Sequence, residues 1–168
     1  MGMILGLDSS TSVTGWAFSE NNKIIDAGFV DTKKLITTKE KTYSLIRELE
    51  KNPLIKEISY INLEAALSGF AMGFTSQQVL ITLARHNAVF SYIIEEHFKL
   101  PVNLLAVTTM RKKLFGKCRI KGVKPKEFVK SELELSHPYI IRFNKKNKKG
   151  NFDERNGDMY DACVAALY

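Results

Sequence analysis

Two short apolar runs dominate what this chain can fold into, because each ends in a carboxylate. Met3-Ile4-Leu5-Gly6-Leu7-Asp8 and, fifty-six residues later, Ile58-Ser59-Tyr60-Ile61-Asn62-Leu63-Glu64 both read as buried strands. The last position of each delivers an acidic group to the edge of a sheet. The segments between and after them give the sheet its kind. A strand over about 13–18, an Asn21-Asn22 turn and a strand over about 24–32 continue the first run as an antiparallel meander, since Asn tolerates the left-handed backbone of a tight turn. Thr37-Thr38-Lys39-Glu40 reads as a capping box opening a helix that runs to about Lys51, stopped by Pro53.

After the strand at 58–64, Thr75-Ser76-Gln77-Gln78 opens the longest helix, to about Phe98. Val79, Leu83, Phe90 and Ile94 form one apolar stripe, which Leu80, Val89 and Ile93 widen. A short strand is expected over 102–106, helices over 108–115 and 125–135, and a last helix over 157–167. Residues 137–156 read as a polar, Lys/Asn/Gly-rich connection, in part disordered. Three hairpin-linked strands followed by alternating helix and strand predict an α/β fold: a mixed five-stranded sheet, its first three strands antiparallel, with helices on both faces. In such sheets the end of the first strand is a natural ligand site.

A chain of 168 residues suits one domain spanning 1–168. It has no run of eighteen apolar residues, and its first residues lack the regions of a secretory signal, so a soluble, cytoplasmic protein without membrane association is expected. Cys118 and Cys163 are too few for a disulfide framework or a Cys-rich zinc site. The net charge of +7 is unevenly spread: residues 1–100 hold 10 Lys and Arg against 11 Asp and Glu, residues 101–168 hold 15 against 7. Arg111, Lys112, Lys113, Lys117, Arg119, Lys121, Lys124, Lys126 and Lys130 are opposed within their stretch by Glu127 alone, and Arg142, Lys145, Lys146, Lys148 and Lys149 follow. Two such runs leading into an acidic helix point to a polyanionic partner.

That helix, Gly157-Asp158-Met159-Tyr160-Asp161-Ala162, carries its two aspartates three residues apart, on one face near the N-terminus. With Asp8 and Glu64 they make four candidate catalytic and metal-binding carboxylates. Two Mg²⁺ or Mn²⁺ ions about 4 Å apart need several hard oxygen ligands to activate water and take up the leaving 3′ oxygen of a phosphodiester. Asp8, central in the sheet, is the candidate bridge. His86 and His97 fall within the long helix as structural or surface residues, His137 precedes a proline, and no His/Cys spacing suggests zinc.

Ile4-Leu5-Gly6-Leu7-Asp8-Ser9-Ser10-Thr11-Ser12-Val13-Thr14-Gly15-Trp16 resembles the opening of RuvC-type Holliday-junction resolvases, which have an RNase H-like fold. The resemblance continues through the strand ending at Glu64, Leu83-Ala84-Arg85-His86-Asn87-Ala88 and Asp158-Met159-Tyr160-Asp161-Ala162, covering nearly the whole chain in order. It implies a crossover-junction endodeoxyribonuclease: a Mg²⁺-dependent homodimer, with Mn²⁺ as substitute, that makes paired cuts in a four-way junction or other branched DNA. Asp8, Glu64, Asp158 and Asp161 match the metal-binding set, and Arg111 and Lys126 fall near basic residues that contact the scissile region. The family places a junction-opening aromatic after the glutamate. Leu67 stands at that position here, with Phe70 and Phe74 close by as candidate DNA contacts. The long 137–156 connection suits a divergent, bacteriophage-encoded member acting in the host cytoplasm.

Val89, Phe90 and Ile93 on the long helix are the candidate dimer contacts. Two other readings remain open on the residues: Gly6-Leu7-Asp8-Ser9-Ser10-Thr11-Ser12 also resembles the phosphate-binding hairpin of sugar kinases and actin-like ATPases, and a branched-DNA-binding protein without catalysis would share the basic surface.

Overall fold

The computed structural model describes residues 2–65 and 77–168; Leu67, Phe70 and Phe74 lie outside them. The elements run β1 (Met3–Ser9), β2 (Val13–Glu20), β3 (Lys23–Asp31), α1 (Thr38–Leu49), β4 (Ile58–Glu64), α2 (Gln77–Phe98), β5 (Val102–Leu105), α3 (Val107–Phe115), α4 (Pro125–Ser136) and α5 (Asn156–Leu167), with 3₁₀ turns at Pro53–Glu57 and Pro138–Phe143. Asn21 and Asn22 take φ of 49° and 59°, the left-handed pair that a two-residue hairpin between β2 and β3 requires. Thr37 caps α1 as expected: its side chain accepts from the Glu40 amide, and the Glu40 carboxylate accepts from the Thr37 amide at 2.8 Å.

The sheet order is β3-β2-β1-β4-β5. β1 pairs antiparallel with β2 and parallel with β4, and β4 pairs parallel with β5, so the carboxyl ends of three strands share one edge with β1 at the centre. Side chains alternate across this sheet. Met3, Leu5, Leu7, Trp16, Phe18, Ile61 and Leu63 pack with Leu45, Ile46 and Leu49 of α1 and Phe90 and Ile94 of α2. Val13, Ala17, Ile24, Ala27 and Phe29 pack on the other face with residues of α3, α4 and α5.

Every residue of α5 is buried, and it can sit so deep because two glycines, Gly6 and Gly15, carry no side chain beneath it. A Cβ at Gly6 would lie 2.3 Å from the Ala162 carbonyl oxygen, and one at Gly15 1.9 Å from that of Asp158. The helix therefore rests on the bare backbone of β1 and β2. Its late carbonyls, which no helical amide reaches, are taken by Ser19 Oγ on Ala166 at 2.5 Å and Asn62 Nδ2 on Ala165 at 3.0 Å. Gly15→Val is expected to push α5 off the sheet and cost about 3 kcal/mol. A urea midpoint equal to that of the parent would show that the helix does not rest on this strand.

Two expectations change. Residues 137–156 are more than a link: Ile140 is buried, Lys146 and Phe152 form an antiparallel bridge, and the Asn156 side chain binds the Lys145 amide at 2.9 Å and its carbonyl at 2.8 Å. On α2, Phe90 belongs to the core of its own chain, buried in the cluster that β1, β2, β4 and α1 share with Ile94, and Ile93 is half-buried against the same core.

Candidate active site

Register builds the site. Leu7 lies beside Leu63 in the parallel β1–β4 pair, so the next residues, Asp8 and Glu64, end adjacent strands. Alternation from Gly6 and Asn62, both against α5, turns Asp8 and Glu64 to that same face. Asp161 descends on them from α5, and one carboxylate oxygen from each of Asp8, Glu64 and Asp161 lies within 4.8 Å of the others. Asp158, one turn earlier, stands beside this trio and is bound by Lys126 Nζ at 2.9 Å. Three of the four acidic residues singled out in the sequence thus meet, and the fourth, Asp158, is paired with Lys126 nearby.

Their electrostatics are those of a site short of positive charge. Burial first, then the charges of Glu64, Asp161 and Asp158, holds the Asp8 carboxyl well above the usual range. Burial, then the charge of Asp161, pushes Glu64 up to about 8. Asp161 is raised by burial against the opposing pull of Arg111. Like charges this close cannot all ionise alone. Glu64 Oε2 is buried and has no hydrogen-bond partner among the described residues, which in a folded protein calls for a donor or an ion. An all-carboxylate donor set with one orphaned oxygen suits a hard divalent cation.

Two of the basic candidates join the cluster. Arg111 Nη2 meets Asp161 Oδ1 at 2.9 Å with both side chains buried. Burial alone would lower the Lys126 pKa, but the hydrogen bond and charge of Asp158, then Asp8 and Asp161, raise it. The others are placed elsewhere. Lys113 donates to the Tyr168 carbonyl at 3.0 Å and lies over its ring, and Lys117 pairs with Glu132 at 2.8 Å. Lys112, Arg119, Lys121 and Lys124 are exposed on α3 and the turn before α4.

His86, expected as a structural or surface residue, is structural, and with Asn87 it supports the site from α2. His86 is buried between two hydroxyls, Ser9 Oγ at 2.8 Å from Nε2 and Thr38 Oγ1 at 2.9 Å from Nδ1. Burial, then the charge of Lys41, lowers its pKa, so the ring is neutral at pH 7 and offers one donor and one acceptor. Asn87 Nδ2 donates to the Glu64 carbonyl at 3.2 Å. Together they tie the ends of β1 and β4 to α2, next to Asp8 and Glu64. The legible signal was a His-Asn pair inside an apolar stripe.

No protein-family model matches the chain, and no curated sequence is similar to it. Solved structures do match. RuvC of Thermus thermophilus in complex with a Holliday junction substrate is 15% identical, covers 99% of this chain and 91% of its own, and superposes with a TM-score of 0.63. RuvC of the same organism solved separately gives 14%, 98%, 90% and 0.59. A ROK hexokinase from Thermus thermophilus matches 69% of this chain and 38% of its own at 14% identity, with a TM-score of 0.40. The mixed five-stranded sheet with helices on both faces is the fold of these RuvC structures.

Proposed function

We propose that this protein is a divalent-metal-dependent endonuclease that resolves four-way DNA junctions by paired phosphodiester hydrolysis. One observation carries the reading: three carboxylates within 4.8 Å, Asp161 buried and Asp8 and Glu64 half-buried, with one Glu64 oxygen unpartnered among the described residues, at the carboxyl end of the central strands of this fold. Its nearly full-length likeness to a protein solved with a Holliday junction supports the substrate class. Asp8, Glu64 and Asp161 would hold Mg²⁺ or Mn²⁺, with Asp158 completing the set. Bound there, such ions supply the Lewis acidity that activates water and stabilises the leaving 3′ oxygen. Arg111 fixes the Asp161 carboxylate, and Lys126, partly exposed and charged, holds Asp158 while facing an incoming phosphate. The exposed Lys112, Arg119, Lys121 and Lys124 draw the backbone in.

The test is a labelled four-way junction, a matched linear duplex and an RNA–DNA hybrid, each incubated with and without Mg²⁺. Symmetric cuts in the junction alone, abolished by chelation, are expected. Equal cutting of the hybrid would assign a different substrate, and ATP binding with no cutting would favour a nucleotide-binding lobe. Neutralising Lys112, Lys121 and Lys124 together should weaken binding to every DNA structure and flatten the log–log salt dependence by roughly 0.9 for each phosphate no longer neutralised. An unchanged slope would place this surface away from DNA.

A junction has near two-fold symmetry, and two opposed cuts are most simply made by a homodimer. The α2 face away from the core supports this: Val89 is 44% exposed and Tyr92 63%. Tyr92→Glu with Val89→Glu is expected to turn a dimer into a monomer in sedimentation at micromolar concentration and to uncouple the paired cuts. Paired cutting by a strict monomer would refute the dimer.

A further inference from the structure

Next to the carboxylates lies a cleft of about 400 Å³ that metal-dependent hydrolysis does not use. Lys124, Lys126, Glu127 and Lys130 of α4 and its N-terminal turn form one wall, and Phe152 and Glu154 the other. It is continuous with the acidic cluster, because Lys126 both lines it and binds Asp158 at 2.9 Å. Phe152 is held in place by a built turn. The Asn147 amide donates to the Asn151 carbonyl at 2.8 Å, Gly150 turns the chain at φ 80°, and the bridge from Lys146 to Phe152 closes the loop. The ring is 40% exposed, and Lys130 Nζ lies over it at 4.2 Å from the centroid. An aromatic held open at a loop end, beside cations and next to an acidic cluster, is placed to stack on a base.

The charges say what stacks. Lys124, Lys126 and Lys130 outnumber Glu127 and Glu154 on the lining, so the cleft can hold a nucleotide by its phosphate. The base of that nucleotide would find the Phe152 ring and carboxylate acceptors for an exocyclic amino group. Resting on the nuclease reading, we propose that this cleft is a subsite for one unpaired nucleobase beside the scissile phosphate, stacked on Phe152 and favouring an amino-bearing base such as cytosine over thymine. The 137–156 connection then serves to present Phe152.

The test uses the full chain carrying Asp8→Asn to prevent cutting, and junctions that each bear one abasic residue at successive positions around the cut. Phe152→Ala should weaken binding of the intact junction about 10-fold. It should cost nothing further on the junction abasic at a single position, which identifies the base. Phe152→Trp should keep the affinity and show fluorescence quenching on binding, which also guards against misfolding of the Ala variant, since the native Trp16 is buried. Glu127→Gln with Glu154→Gln should erase the preference for cytosine over thymine at that position. Equal affinity of parent and Phe152→Ala, or an equal loss on every abasic junction, would overturn the subsite while leaving the nuclease reading intact. No junction binding by the parent would instead remove that reading, and the subsite with it.

Discussion

Asp8→Asn is expected to lower single-turnover junction cutting by about 10³-fold or more while leaving junction affinity equal or higher. The loss follows from geometry: Asp8 ends the central strand and sits against both Glu64 and Asp161, so its removal opens the ligand set. The gain in binding follows from removing one negative charge near the phosphates. The same variant should be more stable than the parent without metal at pH 8. A carboxyl whose folded pKa is raised contributes most below its unfolded value, and that contribution is lost as pH rises through the folded value. For Glu64 the window runs from 4.5 to about 8. Metal-free parent should therefore melt at progressively lower temperature from pH 5 to pH 8. Asp8→Asn should flatten that fall, and near-normal cutting by the purified variant would defeat the assignment.

Arg111→Met should destabilise the metal-free protein by about 3–5 kcal/mol at pH 8, because it strands the Asp161 carboxylate in a buried position. At pH 5 the loss should be smaller, since Asp161 can then take up a proton. Adding Asp161→Asn should recover most of the stability and none of the cutting, which separates the structural role of the pair from its role in the site. A loss below about 1 kcal/mol in urea titrations at pH 8 would show that water screens the pair.

Much of this is written in local pattern. The apolar runs ending at Asp8 and Glu64, the Asn21-Asn22 turn and the Thr37 capping box depend on near neighbours, and the structure has them where the sequence puts them. The i, i+3 spacing of Asp158 and Asp161 likewise places both on the face turned to the sheet. What cannot be read depends on distant partners. Phe90 looks available to a second chain in the sequence because periodicity shows that a helix face is apolar without showing what covers it. Lys113 and Lys117 read as free DNA contacts, yet Tyr168 and Glu132, far away in sequence, lie beside them. The turn carrying Phe152 is hidden by its polar composition, since its order comes from Asn147 and Asn156 side chains bonding to backbone.

The central claim is that the acidic cluster is a cation site, and calorimetric titration of Mn²⁺ into the protein at pH 7.5, repeated in buffers of different ionisation enthalpy, tests it most directly. Burial and like charge raise the Asp8 carboxyl well above its usual range and Glu64 to about 8, so metal that takes these carboxylates as ligands competes with protons. Saturable binding accompanied by proton release is predicted, with both lost in Asp8→Asn. Absence of binding, or binding that releases no proton and survives Asp8→Asn, would contradict it.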